Sequence, residues 1–216
     1  MRTSIEKIRR RDLVEAAFQT FLEHGVGGMT VARIGERAGM SHGIVNYYFK
    51  NKDALLSAVV RHANCLIMRK VIALLKNATT PRERISAVIA GNFPLELFTK
   101  DTASAWVTFY GAVPDHPDFE KLQNAVYRRL HSNLIFDLKK LAAKEDAERI
   151  ALGVSVWIDG LWMRCAMDRQ GLSPEDAIRT INDYVDVYLE RARPARAAKP
   201  LNGRNNRNGR SARKAG

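Results

Sequence analysis

Apolar residues recur along most of this chain at intervals of three and four and nowhere alternate for long, so the pattern predicts an all-α protein. Ile5, Ile8, Leu13, Ala16, Ala17, Thr20 and Phe21 make one stripe of a first helix, which HGVGG at 24–28 ends. Thr30 stands as an N-cap ahead of Val31, Ile34 and Ala38, and Gly39 supplies a left-handed stop. The second helix is therefore under three turns long. Ser41 caps a third short helix, and Asn51 caps a fourth that runs from about Lys52 to Lys76.

Longer helices follow. Thr80 and Pro81 open one, GNFP at 91–94 interrupts it, and another covers roughly 101–113 before Pro114 and Pro117. Two long helices are expected over about 117–142 and 145–169. Ser173, with Pro174 at N1 and Asp176 at N3, opens a last one that reaches about Arg191. No internal repeat is visible.

A helix of under three turns does not persist alone in water, so the second and third must be clamped by the first and fourth. Two short helices joined by a three-residue turn containing glycine are a helix-turn-helix arrangement. On a helix, the stretch SHGIVNYYF at 41–49 splits into two faces. Ile44, Val45, Tyr48 and Phe49 share one through i+3 and i+4 spacings; His42, Gly43, Asn46 and Tyr47 share the other. The first set suits a core with Val31, Ile34 and Leu55. The second is a solvated face or a surface that reads a ligand. In a DNA major groove, Asn46 suits adenine, His42 suits base edges or phosphate, and Tyr47 offers a hydroxyl and a ring. Gly43 permits close backbone approach. Thr30 and Ser41 sit at helix N-termini that suit phosphate, and Lys52 adds a point charge nearby.

Charge sharpens this picture. The net charge is +12 with pI near 10.0, which suggests an anionic partner, nucleic acid or membrane. Nine basic residues and no acidic one follow Glu190, which leaves only +3 on residues 1–190. Residues 192–216, rich in Asn, Gly and Arg and nearly without large apolar side chains, read as a disordered basic tail. A rival reading follows from that tail alone: a sequence-nonspecific binder of nucleic acid or membrane surfaces.

With 46% hydrophobic residues the chain can bury a sizeable core. Cys65 and Cys165 lie in apolar helical patterns with no CxxC, which fits a reducing compartment. The start lacks an apolar leader and no uncharged apolar run approaches 18 residues, so a cytoplasmic, non-membrane protein is expected. The five histidines are scattered, and no HExxH, GxSxG, phosphate loop or dinucleotide fingerprint occurs. Neither an enzyme nor a metal or cofactor site is expected.

The span TVARIGERAGMSHGIVNYYFKNKDALL, residues 30–56, closely resembles the DNA-binding signature of the TetR family of bacterial repressors, at Thr30, Ile34, Ala38, Gly39, Ser41, Gly43, Tyr48, Phe49, Lys52 and Leu55, with Phe18 and Gly25 before it. Two positions depart: Gly35 stands where alanine is usual, and Asn46 where tyrosine is most often found. Gly35 costs about 1 kcal/mol of helix propensity unless a close helix crossing requires it. The resemblance implies that Tyr48 and Lys52 touch phosphate. It also implies a three-helix DNA-binding domain over residues 1–52, with its helix-turn-helix at about 31–50. Residues 53–191 would form a helical domain that makes a homodimer and binds a small-molecule effector, with the tail beyond. The partner would be double-stranded operator DNA, read as half-sites about 34–36 Å apart or a multiple of that.

Five further stretches, IRRRDLVEA at 8–16, GNF at 91–93, AWVTFY at 105–110, RRLHSNL at 128–134 and IDGLWMR at 158–164, resemble choline-responsive members that repress choline uptake and glycine betaine synthesis genes. The implied effector is choline or a related quaternary ammonium; the alternative is a multidrug-type cation or an unrelated metabolite. A quaternary ammonium has no N–H to donate, so its site uses aromatic faces and often a carboxylate. Trp106, Phe109, Tyr110 and Trp162 offer faces, Asp159 a charge, and Asn133 a partner for the choline hydroxyl. Each aromatic residue equally suits a core or a dimer seam. Asp159, costly to bury unpaired, meets a cation, Arg164 or a partner chain. Gly153 and Gly160, seven apart, suit a close helix crossing at a dimer seam.

Overall fold

A computed structural model describes residues 2–170 and 172–192. Among these residues the chain forms nine α-helices and no strand. The expected basic tail falls, beyond Ala192, outside the described residues.

The head is built from α1 (Arg2–Gly28), α2 (Val31–Ala38) and α3 (His42–Tyr48), closed by the start of α4 (Lys52–Leu75). α1 is kinked at Gly25, where HGVGG was expected to end it. Its stripe buries Leu13, Ala17, Phe18 and Phe21, but Ile5 and Ile8 are exposed, because the first turns of α1 run past the helices that cover the rest of the stripe. α2 starts on Thr30, whose Oγ1 accepts a bond from Arg33 N at 3.3 Å. It stops on Gly39 at φ 63°, with Gly39 N donating to Glu36 O (3.1 Å) and Met40 N to Gly35 O (2.8 Å). This paired closure needs a left-handed residue, which glycine adopts without a Cβ penalty.

The departure at Gly35 has a steric reason. A Cβ there would lie 2.6 Å from the Met40 carbonyl oxygen, inside any normal contact distance. Glycine lets the α2–α3 turn fold back onto α2, at the expense of helix propensity. Ile34, Val45 and Phe49 then close the head core against α1 and α4.

The body comprises the rest of α4 with α5 (Pro81–Gly91), α6 (Lys100–Ala112), α7 (Pro117–Leu138), α8 (Lys144–Met167) and α9 (Pro174–Arg191), with a 3-10 turn at Val113–Asp115. α5 begins with a capping box: Thr80 Oγ1 accepts from Glu83 N, and Glu83 Oε2 accepts from the N–H groups of Thr79 (2.8 Å) and Thr80 (3.0 Å). Those backbone donors hold the Glu83 carboxyl at about 2. Buried Asp137 on α7 receives Arg84 of α5 at 2.9 Å and Lys140 at 2.7 Å. Arg82 of α5 clamps Asp186 (2.7 Å) and Asn182 (2.9 Å) of α9. These ties fix α5 between α7 and α9.

α8 packs against α6, α7 and α9 and supplies the centre of the body with Ile150, Val154, Ile158 and Leu161. By length and composition it is the one helix among the described residues apolar enough to cross a membrane. Its apolar residues instead divide between that core and an outward stripe. Head and body share one continuous apolar core through α1, α4 and α6.

Candidate functional site

Helix α3 presents the two faces that its spacing predicts. Val45 and Phe49 are buried, and Ile44 and Tyr48 half-buried. His42, Gly43 and Asn46 are exposed, and Tyr47 is 72% exposed. A tyrosine so far out of the core on a seven-residue helix leaves apolar ring surface in water, which a binding partner would cover. Tyr47 and Tyr48 meet edge to face with ring centres 5.2 Å apart. Ser41 occupies the cap position of α3 without a side-chain cap bond, which leaves its hydroxyl free of that task.

The structure brings Thr30, Asn46 and Lys52 to one surface depression of about 290 Å³, floored by Val45, Phe49 and Leu55. Tyr48 lies elsewhere. It lines a cleft between head and body with Lys50, Asp53, Ser57, His116 and Phe119, where His116 Nδ1 approaches Asp53 Oδ2 at 3.5 Å. Exposed Lys50, beside the reading face, was missed in the sequence; only its proximity to Lys52 pointed to it.

The second candidate site lies inside the body. Trp106 and Tyr110 of α6 and Asp159 and Trp162 of α8 line one small chamber of about 40 Å³. The Trp106 ring centre is 6.4 Å from that of Trp162 and 6.0 Å from that of Tyr110. Trp162 is held by its Nε1–H, which donates to Asn92 O at 3.2 Å. Asp159 is half-buried and does not pair with Arg164. Tyr127 of α7 donates its hydroxyl to Asp159 Oδ2 at 2.8 Å, and Tyr110 donates to Oδ1 at 3.4 Å. Burial pushes the Asp159 carboxyl up, and the two phenol donors partly offset this. Burial and the adjacent carboxylate push Tyr127 up to about 12 and Tyr110 further still, so both stay neutral donors.

Two expected residues sit apart. Phe109 is fully buried against Trp106, Tyr110 and Phe119 and backs the cage without lining it. Asn133 lines an adjoining chamber of about 160 Å³ between α4, α5 and α7. The two chambers share Ile67, Asn92, Val126 and Leu130. Asn64, Gln123 and Tyr127 complete the first chamber and were missed in the sequence. The one signal was Asp159 itself, a carboxylate in an apolar helix. Among the described residues no cluster of histidine, cysteine and carboxylates is arranged for a metal.

On the outer side of α8, Leu152 (65% exposed), Val156 (61%), Met163 and Met167 make an apolar stripe, flanked by Trp157 and by Val187 of α9. Gly160 lies within it, with open space where a Cβ would be, whereas a Cβ at Gly153 would collide with the Tyr184 ring of α9. Of the two glycines, then, Gly153 serves the crossing of α8 and α9 within the chain, and only Gly160 faces outward.

Comparison with known proteins agrees with this geometry. Residues 13–59 match the family of bacterial regulatory proteins of the tetR type, and residues 81–190 match the C-terminal domain of BetI-type transcriptional repressors. The HTH-type transcriptional regulator BetI of Brucella canis is 40% identical over 185 residues, 86% of this chain and 93% of that protein. BetI of Paraburkholderia xenovorans is 36% identical over 86% of this chain and 95% of its own. A transcriptional regulator of Saccharomonospora viridis, solved in complex with choline, shares the fold with a TM-score of 0.72 at 22% identity, over 82% of this chain and 95% of its own. Such relatives regulate transcription and are not enzymes. A head matching the tetR type and a body matching the BetI type, in one chain and in that order, make this protein a member of the TetR family of transcriptional regulators.

Proposed function

We propose that this protein is a homodimeric, cytoplasmic repressor of choline uptake and glycine betaine synthesis genes, released from its operator by choline or a related quaternary ammonium. The observation that carries the effector assignment is Asp159, a half-buried carboxylate set among Trp106, Tyr110, Tyr127 and Trp162. Aromatic faces and one anionic group suit a cation that has no N–H to donate. The choline held by the Saccharomonospora viridis structure supports the same reading. Residues 1–52 form the DNA-binding domain, with the motif at about 31–50, and residues 53–191 form the effector-binding and dimerising body.

The chamber of about 40 Å³ is far below the ~300–1,000 Å³ of ordinary ligand sites. Occupancy therefore requires the walls contributed by α4, α6, α7 and α8 to move apart. A ligand shifts an equilibrium only through such a difference between two states.

Calorimetric titration with choline, betaine aldehyde and glycine betaine, with operator release measured in parallel, tests the proposal. Choline is expected to bind and to release DNA; no heat at millimolar choline would refute the effector while leaving the DNA-binding head untouched. Because choline is permanently charged, its pH dependence reports the protein. Asp159 attracts it only when ionised, so affinity is full above the raised Asp159 value and falls as pH drops through it. The fall should begin above the ordinary carboxylate range and vanish in Asp159→Asn.

Contacts to operator are assigned to Thr30, Ser41, His42, Gly43, Asn46, Tyr47, Tyr48 and Lys52. Asn46→Ala or Tyr47→Ala should reduce the preference for operator over scrambled DNA by about 1–3 kcal/mol. Lys52→Ala should weaken binding to both and lower the salt dependence. Full discrimination in both reading-face variants would remove α3 from base recognition.

A further inference from the structure

The chamber beside the aromatic cage is four times its volume and has a charge of its own. Arg129 of α7 lines it, one helical turn from Asn133 on the same face. Three arginines are half-buried among the described residues: Arg82, Arg84 and Arg129. Arg82 is paired with Asp186 and Arg84 with Asp137. Arg129 has no carboxylate within 4.0 Å among the described residues; its nearest polar contact is the Met68 sulfur at 3.8 Å. A guanidinium drawn partly out of water without an anion is unfavourable, and its planar fork matches phosphate oxygens. The rest of the chamber is mainly aliphatic, with Val71, Val88 and Leu130 among its walls, so the guanidinium and the amides of Asn92 and Asn133 are its polar features.

We propose that the interior site is bipartite and takes a zwitterionic phosphate ester of a quaternary amino alcohol, its ammonium at Asp159 and its phosphate at Arg129. This rests on the assignment of the aromatic chamber to a quaternary ammonium. The two charged side chains line different but contiguous chambers, so each attracts one end of the ligand and repels the other, which fixes its direction. Choline fills only the cage and the shared wall, and leaves Arg129 unpaired.

The test is calorimetry on the full-length protein with phosphocholine, choline and acetylcholine, for the wild type and for Arg129→Gln. Phosphocholine should bind the wild type about tenfold or more tightly than choline, a difference of about 1.4 kcal/mol. Arg129→Gln should erase that gap while holding choline affinity within about threefold, which also shows that the variant is folded. Choline binding as tightly as phosphocholine would overturn the bipartite site and leave the choline assignment standing. An equal gain for acetylcholine, unaffected by Arg129→Gln, would overturn it too, by showing that the chamber reads a neutral arm. Failure of all three ligands to bind would end both proposals together.

Discussion

Asp159→Asn will bind choline at least about thirtyfold more weakly than the wild type, with operator affinity in the absence of ligand unchanged. The substitution keeps the side-chain shape and one acceptor oxygen, so the Tyr127 bond, 2.8 Å long, has a partner still. What it removes is the charge that would face the proposed ligand cation. In a chamber walled by two buried indoles and a half-buried phenol the effective dielectric is reduced, and losing one member of a desolvated charge pair costs about 2–5 kcal/mol. Trp106→Leu or Trp162→Leu should lose less per residue, since a cation over one aromatic face gains about 0.5–2 kcal/mol. Unchanged choline affinity in Asp159→Asn would show that the carboxylate serves only to order Tyr110 and Tyr127.

Gly160→Arg will be monomeric in sedimentation and will lose about a hundredfold or more in operator affinity, with its helical content intact. The position faces open space within one chain, so the fold accommodates the side chain. With the seam of the proposed homodimer on the exposed stripe of Leu152, Val156, Met163 and Met167, the same residue arrives from both copies, and two guanidiniums would meet in an apolar interface with no anion. Separate monomers lose the effective concentration, of millimolar order, that lets the second head bind once the first is engaged. A dimeric Gly160→Arg would move the seam off this face.

The head was legible in the sequence because its caps, stops and helix faces are set locally, although its short helices still need α1 and α4 to clamp them. Thr30, Gly39 and Asn51 punctuate short helices, and period alone separates Val45 and Phe49 from Asn46 and Tyr47. The body was harder for a physical reason: a helical stripe gives the direction of a side chain but not what meets it. Phe109 and Trp106 are three residues apart on α6, yet one backs the cage and the other lines it. Tyr127 reaches Asp159 across 32 residues of sequence, a pairing that only the packing of α7 on α8 creates. Gly153 and Gly160 looked equivalent at a spacing of seven, which returns to within about 20° of the same face, but the Tyr184 ring of α9 lies against Gly153 and no described residue lies against Gly160. Ile5 and Ile8 continue a stripe whose covering neighbours have ended.

Helix α4 runs unbroken from Lys52, at the edge of the DNA-reading surface, past Asn64 and Ile67, in the wall of the cage. Fifteen residues of helix make a rod of about 22 Å. If the wall gives way to a ligand and the rod pivots there by as little as ~5°, its far end sweeps about 2 Å, more than a hydrogen bond to a phosphate tolerates. In the proposed dimer both rods swing at once, and the error in spacing doubles. On the proposed effector assignment, the helix works as a mechanical gear, turning the volume of one small cation into the pitch mismatch of a whole DNA site.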